Sequence, residues 1–174
     1  EFIALMNRWM GDISGKSILK TDLHEEAFGE DQILFSLSTQ VRVWALDRAQ
    51  PTVEAAERRR ACQGMGQHYL VADVRQLPFA NDSFDVILST STLDHFEAAE
   101  DLRRSLCELR RAMKPQGTLI LAMNNRQNIP FVFFLRLGRT LGLLPYFVRF
   151  YTLSELQRIC AQAGFWVEQA QSAV

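Results

Sequence analysis

Two acidic residues lie at the ends of runs that the sequence predicts to be neighbouring buried strands. Asp47 follows the run 41–46, and Asp73 follows the run 68–72. A carboxylate at the first place can accept hydrogen bonds from both hydroxyls of a ribose. A carboxylate at the second can accept from an exocyclic amine such as that of adenine, while the N–H of Val74 reads a ring nitrogen. Either acid alone could equally begin a turn or cap a helix, but the two together favour a nucleoside-like ligand.

Further polar residues follow the predicted fourth and fifth strands, in the stretch 89–96 and at Asn124. His95 is the candidate general base, because an imidazole titrates near neutral pH and can take a proton from a hydroxyl or an amine. The alternative is a histidine that only lines a cavity or holds a hydrogen bond. Asp94 and Asn124 are candidates for orienting the group that reacts.

Short apolar runs that alternate with helical stretches must position these residues. Strands are predicted over 17–23, 41–47, 68–73, 84–90, 117–124 and 165–169, and helices over about 32–38, 51–64, 97–114 and 152–163. In the third of these helices, apolar residues from Leu102 to Met113 form one stripe, and Thr152 with Glu155 forms a capping box at the start of the fourth. The alternation predicts an α/β three-layer sandwich with a mostly parallel sheet and helices on both faces. Ligands of such sheets bind beyond the carboxyl ends of the strands.

Composition limits the class of protein. The chain has 174 residues, of which 48% are hydrophobic and 22% charged, so residues 1–174 are predicted to form a single domain. A net charge of −1 gives no overall attraction to nucleic acid. Cys62, Cys107 and Cys160 lack metal-ligand spacing and are expected to be buried free thiols of a cytoplasmic protein. No apolar run reaches the ~20 residues of an integral membrane segment, and the first residues do not form a signal peptide.

The segment 71–96 also carries three short motifs in a fixed order. They are Asp73-Val74 with Leu77-Pro78-Phe79, then Asp82-Ser83-Phe84-Asp85-Val86, then Leu93-Asp94-His95-Phe96. These motifs resemble those of class I S-adenosylmethionine-dependent methyltransferases of the UbiE-like group, and the stretch 109–121 is similar to the entry of the family's next strand. The resemblance extends over about residues 17–167.

The resemblance implies a Rossmann-like fold, S-adenosylmethionine as cofactor, and transfer of its methyl group to a small acceptor. The apolar composition of residues 129–151 favours an acceptor that is apolar or aromatic. Methyl transfer is an in-line displacement that depends on alignment and a dry cavity more than on covalent help. His95 is the expected catalytic residue. The residues expected to bind the cofactor are Asp22, Glu25, Asp47, Asp73, Val74 and Ser89. The residues expected to bind the acceptor are Asp94, Phe96 and Asn124.

The first motif departs from the family pattern. Where the family has V-L-D-x-G-x-G-x-G, this chain reads I-L-K-T-D-L-H-E-E over 18–26, with no glycine before Gly29. Side chains therefore stand where glycines normally give room, and the acids repel the methionyl carboxylate unless the loop turns them aside. Two alternatives follow. In the first, the loop is a variant turn in which the carboxylate of Asp22 or of Glu25 binds the methionyl amino group. In the second, the chain is a non-catalytic binding or scaffold domain. The variant turn is preferred because a dead site would have no use for the acids on the adenosine side.

The stretch 125–151 follows the fifth strand, where the resemblance implies an insertion that covers the active site. From residue 129 onward it is apolar, and its charges are Arg136, Arg139 and Arg149. One interpretation is a lid packed on the sheet. The other is a lid that admits a lipid-like or aromatic acceptor and touches a membrane surface through its arginines.

One edge of the sheet is a further expectation. The family usually adds an antiparallel seventh strand, whereas this sequence ends soon after the predicted sixth, so a partner chain could cover that edge as a homodimer.

Overall fold

The computed structural model describes residues 2–30, 33–34, 37, 41–63, 66–90, 92–143 and 147–171. Its helices are α1 (Phe2–Met10), α2 (His24–Phe28), α3 (Gln50–Gln63), α4 (Ala99–Ala112), α5 (Ile129–Thr140) and α6 (Leu153–Gln162). Its strands are β1 (Ser17–Lys20), β2 (Arg42–Asp47), β3 (His68–Val71), β4 (Phe84–Thr90) and β5 (Met113–Ala122). A short 3-10 helix, Leu93–His95, follows β4.

The five strands form one parallel sheet in the order β3-β2-β1-β4-β5. Lys20, the last residue of β1, pairs with Ala45 on one side and Leu88 on the other, and Asp47 pairs with Val71. The chain reverses its direction of travel across the sheet between β1 and β4, and such switch points are where parallel sheets bind ligands. The predicted α/β architecture is confirmed.

Apolar residues cover both faces of the sheet, because successive strand residues point to opposite sides. Ile18 and Val86 pack with residues of α1, α2 and α3 on one face. Leu19 and Ile87 pack with the Leu102–Leu109 stripe of α4 on the other. The sheet is thus fixed from both sides, and its carboxyl edge is held in a defined position.

Several predicted elements differ in the structure. Residues 165–169 form no strand: the N–H of Phe165 donates to the carbonyl of Cys160 at the end of α6, and Trp166 is 86% exposed. The predicted helix at 32–38 lies largely outside the described residues, and α1 and α2 were not predicted. Strand β5 begins at Met113 rather than at Gly117.

The early start of β5 goes with an irregular pairing between its first residues and β4. Met113 pairs with Phe84, and the register then shifts so that Thr118 pairs with Val86. A Cβ on Gly117 would lie 2.6 Å from the side chain of Met113 and 3.1 Å from the carbonyl oxygen of Asp85. The irregular stretch therefore needs a glycine for its close approach to β4.

The cysteines only partly match expectation. Cys160 is buried, and burial raises the pKa of its thiol to about 11. Cys62 and Cys107 are exposed, so the expectation of burial is wrong for both.

Among the described residues, no helix is long and apolar enough to cross a membrane. The same residues contain no group of three or more His, Cys, Asp or Glu side chains that could hold a metal ion.

The capping box at the start of α6 forms as predicted. The hydroxyl of Thr152 accepts a hydrogen bond from the Glu155 N–H at 3.2 Å, and the Glu155 carboxylate accepts from the Thr152 N–H at 2.8 Å. We expect Thr152→Ala to lower the free energy of unfolding by about 1 kcal/mol, measured by urea denaturation. Gln157→Ala, an exposed change on the same helix, should alter it by less than about 0.5 kcal/mol. Equal losses in the two variants would contradict a specific capping role.

Candidate functional site

A chain of hydroxyl groups joins the loop after β1 to the end of β4. The Thr21 hydroxyl lies 3.0 Å from those of Ser89 and Thr92, and the Thr90 hydroxyl donates to Asp22 Oδ2 at 3.0 Å. The Thr21 N–H continues the strand pairing by donating to a β4 carbonyl. The first loop is therefore attached to β4 at the switch point of the sheet. Ser89, predicted to bind cofactor, is fully buried among these hydroxyls.

Beneath this loop lies a buried lysine that the sequence analysis did not single out. Lys20 Nζ donates to Asp22 Oδ1 at 2.9 Å and to Glu26 Oε2 at 2.8 Å, and the side chains of Lys20 and Glu26 are both 0% exposed. Glu26 Oε1 also accepts from the N–H of Leu34. Burial alone would lower the pKa of Lys20, but the two carboxylates outweigh it and raise that pKa above the usual value. The sign that could have revealed this cluster was a lysine at the third place of the first motif, where the family pattern has aspartate.

Asp47 holds the first loop from the β2 side. Its Oδ1 accepts from the Ala49 N–H at 2.8 Å, which begins the turn into α3, and its Oδ2 accepts from the Leu23 N–H at 3.2 Å. Asp47 therefore begins the turn into α3 and also lies at the carboxyl edge of the sheet. Each carboxylate oxygen can accept a second hydrogen bond, and the ribose contact stays a prediction.

Asp73 has a partner that the sequence did not reveal. The guanidinium of Arg75 donates to both of its carboxylate oxygens, at 2.6 to 3.1 Å, and also pairs with Asp101 at 3.1 Å. These hydrogen bonds from Arg75 hold the pKa of Asp73 below its usual value. Arg75 also lies 5.4 Å from the ring centroid of Phe96, and Val74 is buried. An adenine amine would therefore share the Asp73 carboxylate with Arg75.

Asp94 and Asn124 meet, as expected of two residues at the ends of neighbouring strands. The carboxylate of Asp94 accepts from both the backbone and the side-chain amide of Asn124. Asp94 is fully buried, and its Oδ1 has no hydrogen-bond partner among the described residues. Its backbone carbonyl accepts from the Arg149 N–H at 2.7 Å. Asp94 thus connects the ends of β4 and β5 to the segment 147–150.

His95 and Glu25 lie farther out. His95 is exposed, and its Nδ1 is 2.8 Å from the carbonyl oxygen of Phe147. The Glu25 carboxylate lies beside Gly29, which follows the C-terminal end of α2, so closely that any side chain at Gly29 would overlap it. Their catalytic and cofactor roles remain predictions.

The residues present fit an adenosine more simply than a methionyl group. Asp47 ends β2, Asp73 lies two residues after the end of β3, and the Ala72 N–H donates to the Asp47 carbonyl at 3.1 Å between them. At the methionyl side, the loop has no glycine, and Lys20 neutralises one of two carboxylates. The fold and the position of these acids agree with what the resemblance implies for a class I methyltransferase domain, and the first loop departs from that pattern.

A protein-family model described as a methyltransferase domain matches residues 24–121, more than half of the chain. The chain belongs to this methyltransferase domain family. The resemblance seen in the sequence is therefore confirmed, and membership of the family supports S-adenosylmethionine as the cofactor.

Curated relatives match part of the chain. The chain is 34% identical over 85 residues to the mouse (Mus musculus) protein named "Probable tRNA methyltransferase 9B", covering 49% of this chain and 18% of the relative. It is 31% identical over 81 residues to a malonyl-[acyl-carrier protein] O-methyltransferase of Serratia marcescens, covering 47% and 29%. These matches span less than a third of each relative's length.

Solved structures share the fold at low sequence identity. The YcgJ protein of Bacillus subtilis superposes with a TM-score of 0.74 at 22% identity, covering 92% of this chain and 66% of that one. A SAM-dependent methyltransferase of Aquifex aeolicus gives 0.71 at 17% identity, covering 96% and 81%. These likenesses confirm the Rossmann-like architecture.

Proposed function

We propose that the domain transfers the methyl group of S-adenosylmethionine to a small apolar or aromatic acceptor. The observation that carries this proposal is the family match over 24–121, a stretch that includes Asp47 at the end of β2 and Asp73 two residues after β3. Asp47 binds the ribose, and Asp73 with Val74 binds the adenine. Residues 125–151 form the lid of this single domain. A homodimer, the absence of a nucleic-acid partner and a cytoplasmic location remain predictions.

The charge balance of the first loop supports a variant methionyl site. One buried ammonium, Lys20, faces two carboxylates, so the cluster carries one surplus negative charge. Glu26 is sealed inside, whereas the Asp22 side chain is 14% exposed and borders Thr90. A second ammonium from the ligand would complete the balance at Asp22. Glu25, directed toward Gly29, is the weaker candidate.

When bound, S-adenosylmethionine supplies a methyl group activated by its sulfonium. The chain has to align the acceptor, exclude water and receive a proton. A carbonyl can only accept a hydrogen bond, so Nδ1 of His95 carries the hydrogen that points to Phe147. The lone pair of the neutral ring then lies on Nε2, which is the basic atom. Asp94, Asn124 and Phe96 lie on the adjoining loops that would border the acceptor.

A second candidate function is a non-catalytic methyltransferase-like module. It is favoured by the contacts that already occupy the acids: Arg75 on Asp73, and Lys20 on Asp22. In this alternative the ion pairs are permanent structural contacts, and the domain serves only to bind a partner.

A crystal structure with S-adenosylhomocysteine tests the proposal. We expect the ribose hydroxyls at Asp47, the adenine beside Asp73 and Val74, and the amino group at Asp22. Crystals of an Asp47→Ala variant grown under the same conditions should lack the ligand. A ligand-free site in well-ordered wild-type crystals, or a ligand elsewhere on the domain, would support the non-catalytic alternative.

A further inference from the structure

Helix α5 lies outside the core. None of its 12 residues is buried, so the expectation of a lid packed on the sheet does not hold for this helix. Its N-terminal end is held by the Asn128 side chain, which accepts a hydrogen bond from the Phe131 N–H at 3.3 Å, and by an edge contact between Phe131 and Phe150. Isolated helices shorter than ~12–15 residues are marginal in water and rely on packing of an apolar face. The apolar face of α5 has no such packing within the described chain.

That face is continuous and strongly apolar. Three helix residues recur every four positions, Leu141 directly after the helix continues that spacing, and one more helix residue lies beside them. They are, with their exposed fractions, Ile129 (73%), Phe133 (67%), Phe134 (66%), Leu137 (44%) and Leu141 (61%). At 3.6 residues per turn they occupy an arc about 140° wide. A helix with such an arc and a basic flank is typical of interfacial membrane helices.

A basic cavity of about 280 Å³ flanks the arc. Its arginines are Arg126, Arg136, Arg139 and Arg149. Arg126 is balanced by Glu155 at 3.0 Å, whereas the other three have no carboxylate within 4.0 Å in the described ranges. Arg139 and Arg149 lie 4.9 and 5.8 Å from the ring centroid of Phe147, which holds them at the cavity wall. The cavity therefore carries uncompensated positive charge.

The charge is segregated along the sequence as well. Residues 125–151 contain four arginines and no Asp or Glu, so this segment carries +4. The whole chain carries −1, which leaves −5 on the rest. A partner of this segment must therefore offer both an apolar environment for the exposed side chains and negative charge for the arginines.

We propose that α5 and the arginine cavity dock the domain on an anionic phospholipid surface. The apolar arc enters the boundary between headgroups and acyl chains, and Arg136, Arg139 and Arg149 bind lipid phosphates, which guanidinium groups recognise through paired hydrogen bonds. RNA would satisfy the arginines but leave Ile129, Leu137 and Leu141 in water. A second copy of the chain would cover the apolar arc but bring like charges together. This docking does not depend on the proposed methyl transfer.

Vesicle flotation tests the proposal. We expect the protein to float with vesicles of equal parts phosphatidylcholine and phosphatidylglycerol, and to stay behind with pure phosphatidylcholine. The double variant Arg136→Gln/Arg139→Gln should weaken vesicle binding about 30-fold. Raising the salt concentration should also weaken vesicle binding by the wild-type protein. Phe133→Ser/Phe134→Ser should weaken binding by at least about tenfold. Matched controls are Arg58→Gln and Trp166→Ser, exposed changes outside the segment, which should leave binding unchanged.

Four outcomes would overturn the proposal, provided that circular dichroism shows folded protein. The first is no binding to the anionic vesicles. The second is saturable binding of inorganic phosphate or glycerol phosphate without vesicle binding, which would assign the cavity to a small anion. The third is arginine-dependent binding of an RNA oligonucleotide without vesicle binding. The fourth is a dimer, detected by light scattering, that Phe133→Ser/Phe134→Ser dissociates and that does not bind vesicles.

Discussion

Lys20→Met is expected to lower the free energy of unfolding by about 3 to 5 kcal/mol, because it leaves a buried carboxylate without its charge partner. Glu26 is fully buried and its Oε2 has Lys20 at 2.8 Å, while Asp22 is only 14% exposed. Water cannot replace the ammonium inside the core. Urea denaturation followed by circular dichroism measures the change.

Two comparisons make the Lys20 result specific. Lys16→Met, at a half-buried lysine just before β1, should cost less than about 0.5 kcal/mol. Adding Glu26→Gln to Lys20→Met should recover part of the loss, because the orphaned buried charge is then removed. A loss below about 1 kcal/mol for Lys20→Met would contradict a buried ion cluster.

The pH dependence of this cluster has a definite sign. The pKa of Lys20 is raised in the folded protein above the usual 10.5. Its stabilising contribution is therefore complete below that usual value and is lost as pH rises through the raised pKa. Wild-type stability, measured by urea denaturation at several pH values, should therefore lose the Lys20 contribution through that alkaline range, a loss that Lys20→Met cannot show.

Asp73→Ala is expected to weaken S-adenosylmethionine binding about 100-fold while the fold remains intact. The change removes a charged acceptor for the adenine amine. It also releases the guanidinium of Arg75, which in the wild type donates to both carboxylate oxygens of Asp73. Isothermal calorimetry measures the affinity, and circular dichroism verifies the fold.

Asp101→Ala is the matched control for Asp73→Ala. Asp101 is the other carboxylate paired with Arg75, at 3.1 Å, so its loss also disturbs the arginine but leaves the Asp73 carboxylate in place. Affinity should stay within about threefold. Equal losses in both variants would attribute the effect to Arg75, and full affinity in Asp73→Ala would remove Asp73 from the site.

The strand framework was predictable because buried parallel strands read as short apolar runs. β2 and β4 lie where those runs predicted them, so Asp47 was correctly placed at the carboxyl edge. The predicted strand at 165–169 is wrong, because an apolar pattern becomes a strand only when a neighbour supplies its hydrogen bonds.

The ion pairs of the site were not predictable. Arg75 reaches back to Asp73 through an irregular loop, where residue spacing has no fixed geometry. Lys20 lies in a strand whose pattern gives no reason to expect a buried charge. For α5 the sequence left two alternatives open, a lid packed on the sheet and a lid that touches a membrane surface, since an amphipathic pattern does not reveal what covers the helix.

The central claim is that the carboxyl edge of this sheet binds S-adenosylmethionine despite its first loop without glycine. Isothermal calorimetry of the purified protein with S-adenosylmethionine and S-adenosylhomocysteine, repeated on Asp47→Ala, tests it most directly. We predict dissociation constants on the order of micromolar for the wild type and loss of binding in the variant. No binding of either compound by a well-folded wild-type protein would contradict the claim and leave the non-catalytic module as the function of this fold.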